Sequence, residues 1–424
     1  MNLEFLYLMV MLSVFLLAHL LLRQPVSLSM VLGAVAASLV SGHGIPLRHL
    51  FEGTFTYIDT ILIISTAMLF MTAIQESGAL AAMNAAIVTR FHKYPAIMLI
   101  LLMFTIMFPG MITGSSTAAV LTAGAIVAPV LTMIGIPKAK AGAIIAIGAI
   151  MGMAAPPVNI PAMLIAGGVD MPYIGFEGPL LLISVVCAVF TVLFLGLRHC
   201  KKLDLQALQA QLDLEAGRKY GLKLYLPIAL LALLLVMSNA FPAWFPQLST
   251  PLIFLICAGA ATLTGRRFPV WEKSLSAMDT TIPVLGKLMG VGMFIQVLTL
   301  TGARGWIVVS CLSLPQVLLY AAIAIIMPAF GAISSYGAAS VMGVPFLLAL
   351  LYTGDQITIA ALLAFICCLG DLMPPTALAG NYSAQIVGLP YRPVLRQCAI
   401  PFLVCITLAL VYLQFTGALA FLTP

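Results

Sequence analysis

Four clusters of helix-breaking and hydroxyl residues carry the chemistry of this sequence. Two are Pro109-Gly110-Met111-Ile112-Thr113-Gly114-Ser115-Ser116 and Pro328-Ala329-Phe330-Gly331-Ala332-Ile333-Ser334-Ser335. The others are the Pro-Pro segments Gly152-Met153-Ala154-Ala155-Pro156-Pro157-Val158-Asn159 and Gly370-Asp371-Leu372-Met373-Pro374-Pro375-Thr376. A proline donates no backbone hydrogen and crowds the preceding turn, so a helix broken there frees carbonyls. Freed carbonyls and hydroxyls together suit a bare hard cation, which takes oxygen ligands. Thr113 and Ser115 with the carbonyls near Gly152, Ala155 and Pro157 form one such set, and Gly331 and Ser334 with those near Gly370 and Met373 form a second. The half-helix N-termini that follow each break bring positive dipole ends to the same place, which favours a carboxylate or similar anion. The competing reading is that glycine and proline serve only close packing and kinks.

Several polar side chains are placed to meet such an anion. Ser116, Asn159, Ser335, Thr376 and Asn381 each offer an amide or hydroxyl near a break, although a lone amide or hydroxyl in an apolar helix commonly bonds neighbouring backbone instead. Lys287 lies inside an apolar run, where a charge is costly and suggests function; it can meet a substrate anion, pair with Asp279 or snorkel. Asp371 adjoins the second cation set and can add charge to it, couple a proton or face water. Asp59 and Asp279 stand at the starts of runs and read as helix N-caps, and Glu76 as interfacial. Hydrolytic and nucleotide motifs of the forms HExxH, GxSxG and GxxxxGK[ST] do not occur, and the five histidines are scattered, so enzyme readings are disfavoured.

The elements that must hold these clusters follow from composition. Of 424 residues 62% are hydrophobic and 8% charged, against about 25% charged in an average soluble domain. Such a chain has lipid as its solvent. The net charge of +6 comes mostly from short loops between apolar runs, as positive-inside topology requires, and implies a bilayer partner and no nucleic acid. The eight cysteines lie mostly inside apolar segments without ligand spacing and read as small hydrophobes. Met1–Leu22 carries Glu4 where a signal peptide has a basic region, and reads as a retained span.

Apolar runs long enough to cross a bilayer lie at 4–22, 25–42, 57–76, 142–168, 179–197, 224–241, 249–264, 278–300, 356–389 and 395–418. With 198–223 in the cytoplasm, most basic clusters fall inside, while Arg48 and Arg304 fall outside. The stretches 94–137 and 312–353 each begin and end on one side, and their turns carry no charge. Each is therefore two crossings or one re-entrant hairpin, and the uncharged turns favour a hairpin with its tip in mid-membrane. Gly78–His92 fits an interfacial helix.

The two hairpins align when the second is shifted back by 219 positions, pairing Pro109 with Pro328, Ser115 with Ser334 and Ser116 with Ser335. A shift of 218 pairs Pro156-Pro157 with Pro374-Pro375, and one of 220 pairs Asp59-Thr60 with Asp279-Thr280. The chain reads as a duplication whose halves enter the membrane from opposite sides, the construction of many secondary transporters. The expected fold class is an all-α polytopic membrane protein with inverted repeats, each holding a re-entrant hairpin and a broken helix. The expected organisation is scaffold helices in 1–57, repeat 1 in 58–197, a cytoplasmic linker helix in 198–223, further scaffold helices in 224–277 and repeat 2 in 278–424.

At these residues the sequence resembles the large membrane subunit of TRAP transporters, DctM-like proteins of the wider ion-transporter superfamily. The resemblance is carried by Pro109 to Pro129 with its Thr-Gly-Ser-Ser tip, by Ala155-Pro156-Pro157 and by Asp371 to Asn381, and it extends over almost the whole chain, including Leu50 to Leu80. It implies an elevator-type carrier of the bacterial inner membrane, built from a scaffold and a transport domain and driven by two or more sodium ions. It implies import of a small organic acid such as a dicarboxylate, delivered by an extracytoplasmic substrate-binding protein, with a small four-span membrane subunit bracing the large one. Carried over by position, the family's first sodium site falls on Thr113, Ser115, Gly152, Ala155 and Pro157, and its second on Gly331, Ser334, Gly370 and Met373. The chain departs from the family at Ala155, Val158, Thr376 and Ala377, which bears on substrate identity. Two alternatives stand beside this reading: a self-sufficient anion/cation symporter of the same superfamily, and a membrane scaffold without transport.

Overall fold

The computed structural model describes residues 3–200, 215–240, 246 and 248–416, and among them every regular element is helical. Nine helices of the described residues are long and apolar enough to cross a membrane, from Leu3–Leu21 to Tyr391–Gln414. The expected crossings at 25–42 and 249–264 are shorter than expected. They form Val26–Val40 and Thr250–Thr264, 15 residues each, below the roughly 17–25 of a full perpendicular span. Apolar residues continue past the helix ends into turns, which is why the runs read longer.

The helices segregate into two groups by what they touch. Leu3–Leu16, Val26–Val40, Leu47–Phe55, Ile58–Glu76, Thr250–Thr264 and Val270–Leu300 pack mainly on one another. Leu47–Phe55 packs on Val270–Leu300 and carries an exposed Arg48–Glu52 ion pair at 2.8 Å; the Arg48 hydrogen bond holds the Glu52 carboxyl below its usual range. The second group is built on Lys138–Ala154, in which every residue from Ala141 to Ala154 is buried, and Gln356–Leu369, buried from Thr358 onward. A helix apolar on all sides belongs at the centre of a bundle. The outer members of this group, Glu177–Gly196 and Tyr391–Gln414, pack on Lys138–Ala154.

Within the second group one order of local conformations occurs twice. Pro95–Thr113 turns at Gly114, whose φ of 63° lies in the left-handed region open to glycine. Ser115 is extended (φ −128°, ψ 118°), and the chain returns as Ser116–Met133 with a π turn at Val120–Gly124. Ser334 is extended in the same way (φ −159°, ψ 110°) inside Gln316–Leu350, and a π turn follows at Ala339–Gly343, 219 positions after the first. Lys138–Ala154 and Ile160–Gly167 flank Pro156-Pro157, and Gln356–Leu372 and Leu378–Ile386 flank Pro374-Pro375. Both Pro-Pro bonds are cis. The broken helices exchange halves: Ile160–Gly167 packs on Gln356–Leu369, and Leu378–Ile386 on Lys138–Ala154.

Short connecting helices were less visible in the sequence. Ala79–Phe91 occupies the stretch expected to be interfacial and packs on Pro95–Thr113. A matching helix, Ala303–Leu312, packs on Val344–Leu350; it falls between the apolar run at 278–300 and the stretch at 312–353. Each follows a left-handed glycine, Gly78 or Gly302. Asp279 is not an N-cap. Val270–Leu300 begins nine residues before it, because the polar turn at Glu272-Lys273 extends the helix beyond its apolar part, and Lys273 there pairs with Glu76 at 2.9 Å. Asp59 lies in the first turn of Ile58–Glu76, whose N-cap position is Tyr57. Of the linker expected at 198–223, residues 201–214 lie outside the described residues; Glu215–Tyr220 is helical and packs on Ala79–Phe91.

Candidate functional site

Each break is held open by bonds that would otherwise extend a helix. Ser115 Oγ accepts the amide of Ala118 at 3.3 Å, and Ser334 Oγ accepts that of Gly337 at 3.1 Å. The two serines therefore cap the return arms of their hairpins, satisfying an N–H that has no partner in the first turn of a helix. Thr113 donates to the Pro109 carbonyl at 2.7 Å, one turn back in the same helix, the usual bond of a hydroxyl inside an apolar helix. Beyond each Pro-Pro pair the chain turns back to its hairpin: the Val158 amide donates to Met111 O at 3.1 Å, and the Thr376 amide to Ala332 O at 3.4 Å. Thr376 adds a hydroxyl bond to that same carbonyl at 2.5 Å.

Glycine sets how closely hairpin and broken helix cross. A Cβ on Gly152 would overlap the backbone of Met107, and one on Gly370 would overlap the backbone of Gly331. The residues proposed from the sequence for the cations at Gly152, Gly331 and Gly370 thus sit where hairpin and broken helix meet backbone to backbone. Gly152 O receives the Ala155 amide at 3.2 Å, and Gly370 O that of Met373 at 2.8 Å.

Contacts between the halves close the arrangement. Ser116, at the tip of the first hairpin, donates to the Asp371 carboxylate at 2.6 Å across 255 residues of sequence. Ser335 and Lys287 line the same cavity as this carboxylate. Tyr336 donates to Gly114 O at 3.3 Å and so ties tip to tip. Asp371 is 7% exposed. A buried carboxylate is tolerated where hydroxyls and a nearby cation satisfy it.

These residues enclose a cavity of about 390 Å³. Thr113, Ser115, Ser116, Ser334, Ser335, Asp371 and Thr376 line it from the hairpins and the second break, while Ile64, Met68, Thr280, Thr281, Val284 and Lys287 line it from the facing helices Ile58–Glu76 and Val270–Leu300. Of the sequence candidates, Ser116, Ser335, Thr376, Lys287, Thr113, Ser115 and Ser334 reach this one space. Gly152, Ala155, Pro157, Gly331, Gly370 and Met373 are not among its lining residues.

Asn159 and Asn381 are not in the cavity wall. Asn159 is fully buried; its Oδ1 accepts the Ala162 amide at 2.9 Å and its Nδ2 donates to Ala154 O at 2.7 Å, bridging the first break. Asn381 Nδ2 donates to Thr376 O at 2.9 Å. Both amides are engaged in holding the broken backbone, so neither enters the substrate contacts proposed below. Tyr336, Thr280 and Thr281 were not singled out from the sequence. Tyr336 had a signal, since it follows the Ser334-Ser335 tip and pairs with Thr117 in the 219-residue register.

The oxygen-rich tips fit an alkali cation better than a transition metal. Among the described residues no group of three His, Cys, Asp or Glu side chains converges to hold a metal. The ligands on offer are hydroxyls and carbonyls, which suit hard cations.

The profile of one protein family, described as the DctM component of tripartite ATP-independent periplasmic transporters, matches residues 13–419. No curated protein matches the chain. Among solved structures, the YdaH transporter of Alcanivorax borkumensis is similar, with a TM-score of 0.60 and 16% identity over 89% of this chain and 90% of that one. MtrF of Neisseria gonorrhoeae, described with a class of antimetabolite efflux pumps, gives a TM-score of 0.59 and 15% identity over 88% and 84%. At these identities the likeness is one of fold.

Proposed function

Because the chain belongs to the DctM component family of tripartite ATP-independent periplasmic transporters, a multi-pass membrane component that works with other members of its transporter, we propose that it is the sodium-coupled importer of a small organic anion. The observation that carries this reading is the convergence of both hairpin tips and the second Pro-Pro break on one cavity that also holds Lys287. Two capping serines, Ser115 and Ser334, stand in the cavity wall, and we assign one sodium ion to each, with Thr113, Gly152, Ala155 and Pro157 completing the first and Gly331, Gly370 and Met373 the second. Ser116, Ser335, Thr376 and Lys287, which line the cavity as Asn159 and Asn381 do not, are left to the anion, which takes over the Ser116 hydroxyl from Asp371 and that of Thr376 from Ala332 O. Sodium binding draws the tips into the geometry that holds the anion, so neither crosses alone.

In this reading the duplicated halves are inverted in the membrane, and the second helix group moves as a body. We place Ile58–Glu76 and Val270–Leu300 with the scaffold, because they pack mainly on Thr250–Thr264, Val26–Val40 and Leu47–Phe55. The cavity then lies at the boundary between a fixed wall and a moving one, as an elevator requires. Cysteines introduced at Leu121 and Val284, which line the cavity from the two sides, are expected to cross-link and stop uptake, with reduction restoring it. Uptake at full rate through the cross-linked pair excludes the moving-body mechanism.

The partners we propose are a small four-span membrane subunit and an extracytoplasmic substrate-binding protein, in the bacterial inner membrane. Gentle purification from the native membrane is expected to bring the small subunit along in near-equal amount. Sodium-driven uptake by the chain alone in liposomes would establish a self-sufficient carrier instead.

A further inference from the structure

We infer that Tyr391 is a positioning residue of the second cation set: its hydroxyl fixes the direction of the peptide between Leu372 and Met373, a task that Asn159 performs in the first half. This role rests on the sodium reading above and belongs to one of its two sites.

The duplication allows a comparison position by position. Shifted back by 218, Gly370, Leu372, Met373 and Tyr391 fall on Gly152, Ala154, Ala155 and Tyr173. In both halves the last peptide before the Pro-Pro pair is held at both ends. Its amide makes the same backbone bond twice: Met373 N donates to Gly370 O at 2.8 Å, and Ala155 N to Gly152 O at 3.2 Å. Its carbonyl is held by different side chains. Ala154 O receives Asn159 Nδ2 at 2.7 Å, from five residues further along the same break, whereas Leu372 O receives the hydroxyl of Tyr391, the first residue of Tyr391–Gln414.

The exchange of partners shows in the residues left over. The position matching Asn159 is Ala377, whose methyl offers no donor, so the second break cannot hold its own carbonyl in that way. Tyr173, the match of Tyr391, stands between Ile160–Gly167 and Glu177–Gly196, and its buried hydroxyl has no hydrogen-bond partner among the described residues. The carbonyl matching that of Leu372 is already taken by Asn159. Gly380 makes room for the bonded ring, since a Cβ there would overlap it. A peptide unit is planar and turns as one piece, so releasing Leu372 O also loosens the Met373 amide from Gly370 O. Gly370 and Met373 are both assigned to the second sodium ion, and groups that orient ligands set the affinity of a site as the ligands do. The first site thus has its holding amide inside the break, while the second depends on an outer helix.

The test is the unfolding midpoint of the purified full chain in detergent as sodium chloride is varied against choline chloride. Sodium that binds the folded state raises the midpoint with its occupancy. Ser115→Gly leaves the second site to be read, and Ser334→Gly the first. Tyr391→Phe is expected to raise the half-saturating sodium concentration about fivefold in the Ser115→Gly chain, the equivalent of one net hydrogen bond of about 1 kcal/mol, and to leave it unchanged in the Ser334→Gly chain. Tyr173→Phe is expected to change neither. A tyrosine that serves only packing lowers the midpoint equally with and without sodium and leaves the half-saturating concentration where it was. That result overturns the inference, as does an equal effect of Tyr173→Phe, and both leave the sodium reading standing. Where Tyr391→Phe yields no folded protein, Gly380→Ala reads the same bond by displacing the ring, with the same shift expected and an unchanged sodium response overturning the role. An unaltered chain whose midpoint ignores sodium overturns the sodium reading itself.

Discussion

Replacing Ser115 and Ser334 together by glycine is expected to abolish the sodium dependence of uptake, while the protein still folds. Each hydroxyl has two tasks in the structure. It accepts an amide of the following helix, Ala118 N for Ser115 and Gly337 N for Ser334, and it stands in the cavity wall, where the proposed sodium ion takes its remaining lone pair. Alanine removes both tasks and costs about 1 kcal/mol per cap, whereas glycine at an N-cap costs only a few tenths because its exposed backbone is solvated or rearranges. The glycine pair therefore separates ligation from capping. The readout is the initial rate of uptake into proteoliposomes as sodium is varied, beside the unfolding midpoint. Loss of sodium dependence with a midpoint near that of the parent supports ligation by these hydroxyls. A rate that still rises with sodium as in the parent sinks the assignment of both sites. The single variants are expected to leave one coupling ion each, and hence a shallower dependence than the parent.

Gly152→Val should have the largest effect on stability of any single change considered. A Cβ at that position lies inside contact distance of the Met107 carbonyl and Cα. The obstacle is backbone in the middle of Pro95–Thr113, so it cannot rotate aside as a side chain does. Extra methylenes in a well-packed core cost typically about 1–3 kcal/mol, and valine at this crossing adds three carbons against a helix that cannot yield. The first hairpin must move off Lys138–Ala154, and with it the Val158-to-Met111 bond and the placing of Thr113. A fall in unfolding midpoint and loss of uptake are expected together. Gly259→Ala is the matched control: it lies in Thr250–Thr264 with no atom within 4 Å of the added Cβ, and alanine there is expected to be neutral or to stabilise by about 0.5–1 kcal/mol. Equal behaviour of the two variants would show that close approach at Gly152 does not hold the broken helix in place.

Much of this arrangement was legible in the residues because its signals are local. Proline pairs stop a helix wherever they occur, a Thr-Gly-Ser-Ser turn without charge marks a tip, and a register kept to within two residues across the duplication locates each break. The all-helical fold followed from composition. What the sequence hid depends on where the chain returns. Nothing near Ser116 indicates that its hydroxyl meets Asp371, or near Tyr336 that it reaches Gly114. Asn159 and Asn381 looked available because their neighbours were cavity residues, yet a side-chain amide beside a freed carbonyl is drawn to that carbonyl first. The helices Leu47–Phe55 and Ala303–Leu312 were missed because each is short, and a search for runs of about 20 apolar residues passes over them.

The bond between Ser116 and Asp371 also sets a schedule. Its two ends are separated by 255 residues, and at a synthesis rate of roughly 5–20 residues per second the interval between them is on the order of 10–50 s. During that interval the first hairpin is already made, with a hydroxyl, a threonine and an exposed backbone turn at its tip and no carboxylate to receive them. Its early neighbours are helices of its own half, above all Lys138–Ala154, which buries the hairpin arm before the second half exists. Closure of the cavity is thus a late event of biogenesis, and a ribosome halted before Asp371 leaves behind a hairpin that is packed but not paired.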